Sequence, residues 1–171
     1  ILVDPTGEKV ELFSREATPT YYGMHMGYRL TPDNPSDPNL RLPNGVPQGS
    51  TEVILSAFPN KQGKLEKQFD YSPGEAEGNR SSDTLSYTRY DSTILTAPDG
   101  MSDTDFINSF SAQYEKIQTG QGYSLLGNVP GTYTGNSNNF AYTLGNNVGV
   151  GAQVNAFAKQ SPGIAPGNGT N

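Results

Sequence analysis

The segment Gly135-Asn136-Ser137-Asn138-Asn139-Phe140-Ala141-Tyr142-Thr143-Leu144 passes from a polar cluster straight into helically spaced apolar residues. Ser and Asn are favoured helix N-caps, because their side-chain oxygens accept hydrogen bonds from the unpaired N–H groups of the first turn. Those same N–H groups, at the positive end of the helix dipole, suit a nucleophile or an anion. The pattern predicts a helix over Asn136–Gly145. It leaves two roles open for Asn136, Ser137 and Asn138: local capping, or a site.

Upstream, Ser102-Asp103-Thr104-Asp105 precedes Phe106, Ile107, Phe110, Tyr114 and Ile117 at helical spacing, which predicts a capped helix over Asp103–Gln118 with an apolar stripe in the core. Tyr21–Thr31 (YYGMHMGYRLT) alternates instead. It sets Met24, Met26, Tyr28 and Leu30 on one face and Gly23, His25, Gly27 and Arg29 on the other. A glycine beside a polar strand residue marks either a bulge or a close approach, and His25 has one on each side. Thr51–Phe58 and Lys64–Tyr71 read as two strands joined at Asn60–Gly63, and Glu8–Phe13 as a short strand. Thr84–Leu95 has room for one more. Pro32–Gly49 is rich in Pro, Asn and Gly and reads as a long surface loop. The expected fold is α+β, an antiparallel sheet carrying a few helices. The expected organisation is one domain over 1–171, with a lead-in at 1–20 and a Pro- and Gly-rich tail at 161–171.

Composition narrows the function. A net charge of −6 disfavours nucleic acid and anionic membrane surfaces, which select basic patches. With no cysteine there is no thiol nucleophile, disulfide or zinc-thiolate site, and a single histidine rules out a multi-histidine metal centre. No metal and no cofactor are expected. No apolar run is long enough for a spanning helix, and the first residues lack the regions of a signal peptide. The start at Ile1 without Met is expected of a piece cut from a longer protein.

A strand-borne His25, further strands, a capped helix, Tyr133–Leu144 (YTGNSNNFAYTL) and a Pro-Gly tail together resemble the circularly permuted papain-like domains, of NlpC-like and PPPDE type, found among bacterial polymorphic toxins. The opening Val3-Asp4-Pro5-Thr6-Gly7 resembles the element that precedes toxin domains in Rhs-type proteins. The resemblance implies a secreted or delivered toxin or effector domain acting as an amidase, peptidase or acyl-transfer enzyme. Its substrate would be a peptide, peptidoglycan or acyl group, and a cognate immunity protein its partner. It implies Ser137 as nucleophile, where the relatives carry Cys, and His25 as general base or acid, with backbone N–H groups of the second helix in an oxyanion hole. Tyr133, Asn136 and Asn138 would bind substrate, with Glu52 or Ser56 the nearby residues for orienting the imidazole. A hydroxyl, unlike a thiolate, must lose its proton during attack. A non-catalytic binding module on the same fold and an extracellular β-rich structural domain are the competing readings.

Overall fold

The computed structural model describes residues 9–18, 21–72, 90–123 and 134–161. Five strands form one antiparallel sheet: β1 (Lys9–Thr18), β2 (Tyr21–Thr31), β3 (Glu52–Pro59), β4 (Leu65–Ser72) and β5 (Tyr90–Ile94), in the order β4-β3-β2-β1-β5. The α+β class and the three expected strands are therefore present. Rather than a lead-in, residues 9–18 form β1, which pairs along nearly its whole length with β2 and on its other edge with β5. Alternation in β1 sends Val10 and Leu12 to one face and Glu11, Phe13 and Arg15 to the other.

The register of the β1–β2 ladder and the packing across it explain the glycines of β2. Thr18 pairs with Tyr21 but Glu16 with Met24, so β2 carries one extra residue around Gly23, a bulge. Gly27 has a different reason: a Cβ there would lie 2.6 Å from the ring of Phe13, its partner across the ladder. The aromatic ring occupies the space a side chain would need.

Three helices follow: α1 (Asp103–Lys116), α2 (Ser137–Val148) and α3 (Gly151–Gln160), with a short parallel pair, β6 (Gly122–Tyr123) and β7 (Thr134–Gly135), between the first two. Ser102 caps α1, its Oγ accepting from Asp105 N at 3.1 Å. Gly149, at φ 94°, ends α2 in the left-handed conformation that glycine adopts without strain. Three residues beyond the predicted end at Gly145, α2 stops at Val148, and α3 is an element that the sequence reading left unassigned.

Val10, Leu12, Met26, Tyr28, Leu30, Val53 and Leu55 meet Phe106, Ile107, Phe110, Tyr114, Phe140 and Leu144 in a single core. The helices thus cover the Met26–Tyr28–Leu30 face of β2. The loop over 32–49 is held to this body: Leu40 is buried in the core, and Arg41 N donates to Asn108 Oδ1 on α1. Among the described residues no helix is long and apolar enough to cross a membrane.

Candidate functional site

The first turn of α2 is built from three asparagines with separate tasks. Asn136 is the N-cap, and its Oδ1 accepts from Asn138 N at 3.0 Å and from Asn139 N at 3.1 Å. Asn139 Oδ1 returns the favour to Asn136 N at 2.9 Å, completing a capping box in which Asn replaces the usual Glu. Asn138 points the other way. Its Oδ1 accepts from Met26 N and its Nδ2 donates to Met24 O, both at 3.0 Å.

The reason lies in the sheet. The β2–β3 ladder pairs Tyr28–Leu30 with Leu55–Val53 and goes no further, so the backbone of Met24 and Met26 lacks a β3 partner. Buried backbone polar groups need partners. The Asn138 carboxamide supplies one acceptor and one donor to two residues on one strand edge, the pattern of a parallel-strand residue set opposite His25. Asn138, the residue after Ser137, is thus bonded to the backbone on both sides of His25.

His25 leaves β2 on the face opposite the helices. Arg15 is its partner in the β1–β2 ladder, the ring of Phe58 stacks on the imidazole at 4.5 Å, and Phe13 meets it edge-on at 6.5 Å. The Arg15 guanidinium lies 5.6 Å from the Phe58 centroid, a cation–π contact. His25 and Arg15 are both buried, as are Asn136, Ser137 and Asn138. Arg15, Phe13 and Phe58 are the residues that sequence reasoning missed here. Reading β1 on past Phe13 to Thr18 would have found Arg15 across from His25.

Among the first-turn amides, those of Asn138 and Asn139 are taken by Asn136, and Phe140 N bonds to Asn136 O at 3.2 Å. The expected oxyanion hole of several helix N–H groups therefore reduces to the amide of Ser137 itself. Among the described residues no hydrogen bond joins Ser137 to the imidazole. Glu52 is ruled out as the orienting group: it lies 3.5 Å from Arg29, which is four residues along β2 from His25, about 13 Å at ~3.3 Å per residue. Ser56 shares the face of His25 and is fully buried, but its Oγ bonds to nothing among the described residues. Tyr133 lies outside the described residues. Among them, no cluster of three His, Asp or Glu side chains is placed to hold a metal.

No protein family, curated protein or solved structure matches this chain.

Proposed function

We propose that Ser137 and His25 form the site of a circularly permuted papain-like amidase, peptidase or acyl-transfer domain, delivered as a bacterial toxin or effector. The observation that carries this is the pair of 3.0 Å bonds by which Asn138 ties the start of α2 to Met24 and Met26, the neighbours of His25. Asn138, the residue after the serine at this helix N-terminus, is thereby bonded to the backbone on both sides of the chain's one histidine. Stacking between Phe58 and Phe13 limits the rotation of the imidazole, which favours a fixed proton acceptor.

In this reading the Ser137 hydroxyl attacks the substrate carbonyl carbon and its proton passes to the imidazole. The Ser137 amide donates to the oxyanion, and the imidazolium returns the proton to the departing amine or alcohol. Water then releases the acyl group from Ser137. The Val3–Gly7 segment and the site together support a delivered effector with an immunity protein as partner, and a peptide, peptidoglycan or lipid acyl substrate.

A non-catalytic binding module is the second reading, favoured by the serine in the cysteine position. A fluorophosphonate probe, which phosphonylates an activated serine oxygen with loss of fluoride, separates the two. A covalent adduct on Ser137 in the full chain, lost in His25→Ala at an unchanged unfolding midpoint, supports the enzyme. A probe that fails to label Ser137 supports the binding module.

A further inference from the structure

We propose that Asn44 is a self-modification site, where backbone attack on the side chain yields aspartate and isoaspartate and loosens the loop over 32–49 from α1. The chain has two Asn-Gly pairs, and Asn44-Gly45 is the one within the described residues. Val46 N donates to Pro43 O at 3.0 Å, closing a turn with Asn44 and Gly45 at its two central positions. Glycine is required at the second of these: its φ is 91°, and a Cβ there would lie 3.0 Å from Phe69 Cζ. The fold therefore keeps, directly after Asn44, the residue whose nitrogen is least obstructed. Both reacting groups are open. Asn44 and Gly45 are exposed, and among the described residues neither the Asn44 carboxamide nor the Gly45 N–H makes a hydrogen bond. Two other loop asparagines differ. Asn34 precedes a proline, which has no N–H to lose, and Asn60 Oδ1 accepts from Gln62 N at 2.9 Å and Lys64 N at 3.0 Å.

In the reaction Gly45 N loses its proton and attacks Asn44 Cγ. The new N–C bond closes a five-membered succinimide ring, the bond from Cγ to the side-chain nitrogen breaks, and that nitrogen leaves as ammonia with the proton Gly45 gave up. Water then adds to one of the two ring carbonyls, the bond from that carbon to Gly45 N breaks, and the nitrogen regains a proton. Opening at Cγ leaves an aspartate. Opening at the main-chain carbon leaves an isoaspartate, whose backbone runs through Cγ. One water is consumed and one ammonia released, with no change of oxidation state. Either product puts a carboxylate on the residue whose amide donates to Glu115 Oε1 at 2.8 Å. That bond ties the loop to α1 together with Arg41 N to Asn108 Oδ1 at 2.6 Å and Asn108 Nδ2 to Asn39 O at 2.9 Å. Two negative charges then meet at this end of the strap and repel, and isoaspartate also adds a carbon to the backbone of the turn.

The test keeps the full chain folded in mildly alkaline buffer and follows its tryptic peptide Leu42–Lys61, which carries both Asn44 and Asn60, by fragment mass. Asn44 is expected to convert at least about tenfold faster than Asn60, a barrier lower by about 1.4 kcal/mol, and its rate to rise with pH because Gly45 N must lose its proton. Two products, aspartate and isoaspartate, separate by chromatography. An Asn44 that converts no faster than Asn60 overturns the site, and aspartate without isoaspartate overturns the ring mechanism. Asn44→Asp reads the consequence without waiting for the reaction. In it the Arg41 amide, bonded to Asn108, should exchange its hydrogen about fivefold faster than in the parent chain, the size of an exposed charge interaction. An Arg41 amide that exchanges at the parent rate overturns the loosening of the loop.

Discussion

The Tyr28 hydroxyl stands where a Cβ on Gly145 would go, 2.6 Å from that position, and Val154 Cγ2 closes the other side at 2.6 Å. The hydroxyl also donates to Ala141 O at 2.6 Å, so β2, α2 and α3 meet through this glycine. Gly145→Ala gains about 1 kcal/mol of helix propensity but forces overpacking worth about 1–3 kcal/mol. The phenol is held by its hydrogen bond and by Phe110, whose ring centroid lies 4.8 Å away, and Val154 is β-branched, so neither yields easily. A net destabilisation in chemical denaturation is expected. An unchanged or higher midpoint would show that one of them moves aside.

Burial of Tyr28 pushes its phenol well above the ordinary range, and the same cause raises Tyr114 and Tyr142. The unfolded chain ionises its tyrosines near about 10, whereas these remain neutral in the folded state. Their contribution to stability is complete below that pH and declines as pH rises through it towards the folded values. Denaturation midpoints measured with tyrosinate absorbance should fall on the alkaline side. Tyr28→Phe should lose about 0.5–1.5 kcal/mol at neutral pH, from the missing bond, and show a shallower alkaline decline.

The parts of the fold legible in the sequence were those with a strong period. Tyr21–Thr31 alternates and α1 has a cap plus a stripe, and both lie within two residues of the predicted bounds. β1 was cut short because Ser14 and Arg15, polar in sequence, interrupt the apolar alternation, yet both are buried between two paired strands. α3 has no side-chain cap on Val150 to announce it, and its buried positions, Val154 and Phe157, are only two. Of the site, the capping role of Asn136 was readable from local chemistry. The role of Asn138 depends on where β3 leaves β2, a long-range property that no local pattern encodes.

Lys67 shows a further long-range contact with a measurable effect. Its Nζ donates to Tyr114 O at 2.8 Å, Glu115 O at 2.9 Å and Ile117 O at 3.2 Å, and lies 4.9 Å from the Tyr114 ring centroid. A cation is thus placed on the unpaired carbonyls at the negative end of α1. Lys67→Met keeps the stem but loses the charge, and is expected to cost about 1–2 kcal/mol. Amide exchange in the last turn of α1 should rise more than exchange in α2. Equal change in both would place the effect elsewhere.

Phe110 lies fully buried between Tyr28 and Phe106, with ring centroids at 4.8 and 5.3 Å. Phe110→Ala removes the central ring of this group, for an expected loss of about 3–5 kcal/mol. That is a large share of the ~5–15 kcal/mol of a typical domain. A urea midpoint close to that of the parent chain would show that the cavity collapses.

Asn136 serves the start of α2 with a single oxygen, accepting from the amides of both Asn138 and Asn139 while fully inside the protein. Asn136→Ala leaves those two donors unsatisfied where water has little access, so its cost should lie at the upper end of the ~0.5–2 kcal/mol range for lost N-caps. Asn136→Asp keeps the acceptor and adds a negative charge that the helix dipole favours, but burial opposes that charge. Its loss should therefore be smaller than that of alanine at neutral pH and grow on acidification, as protonation removes part of the acceptor strength. Hydrogen exchange at the Asn138 and Asn139 amides reads the cap directly. Faster exchange there in Asn136→Ala, with the Met26 amide still protected, would separate the cap from the bonds of Asn138 to β2. Exchange rising together at all three would show that the capping box and the Asn138 bridge to β2 break as one unit.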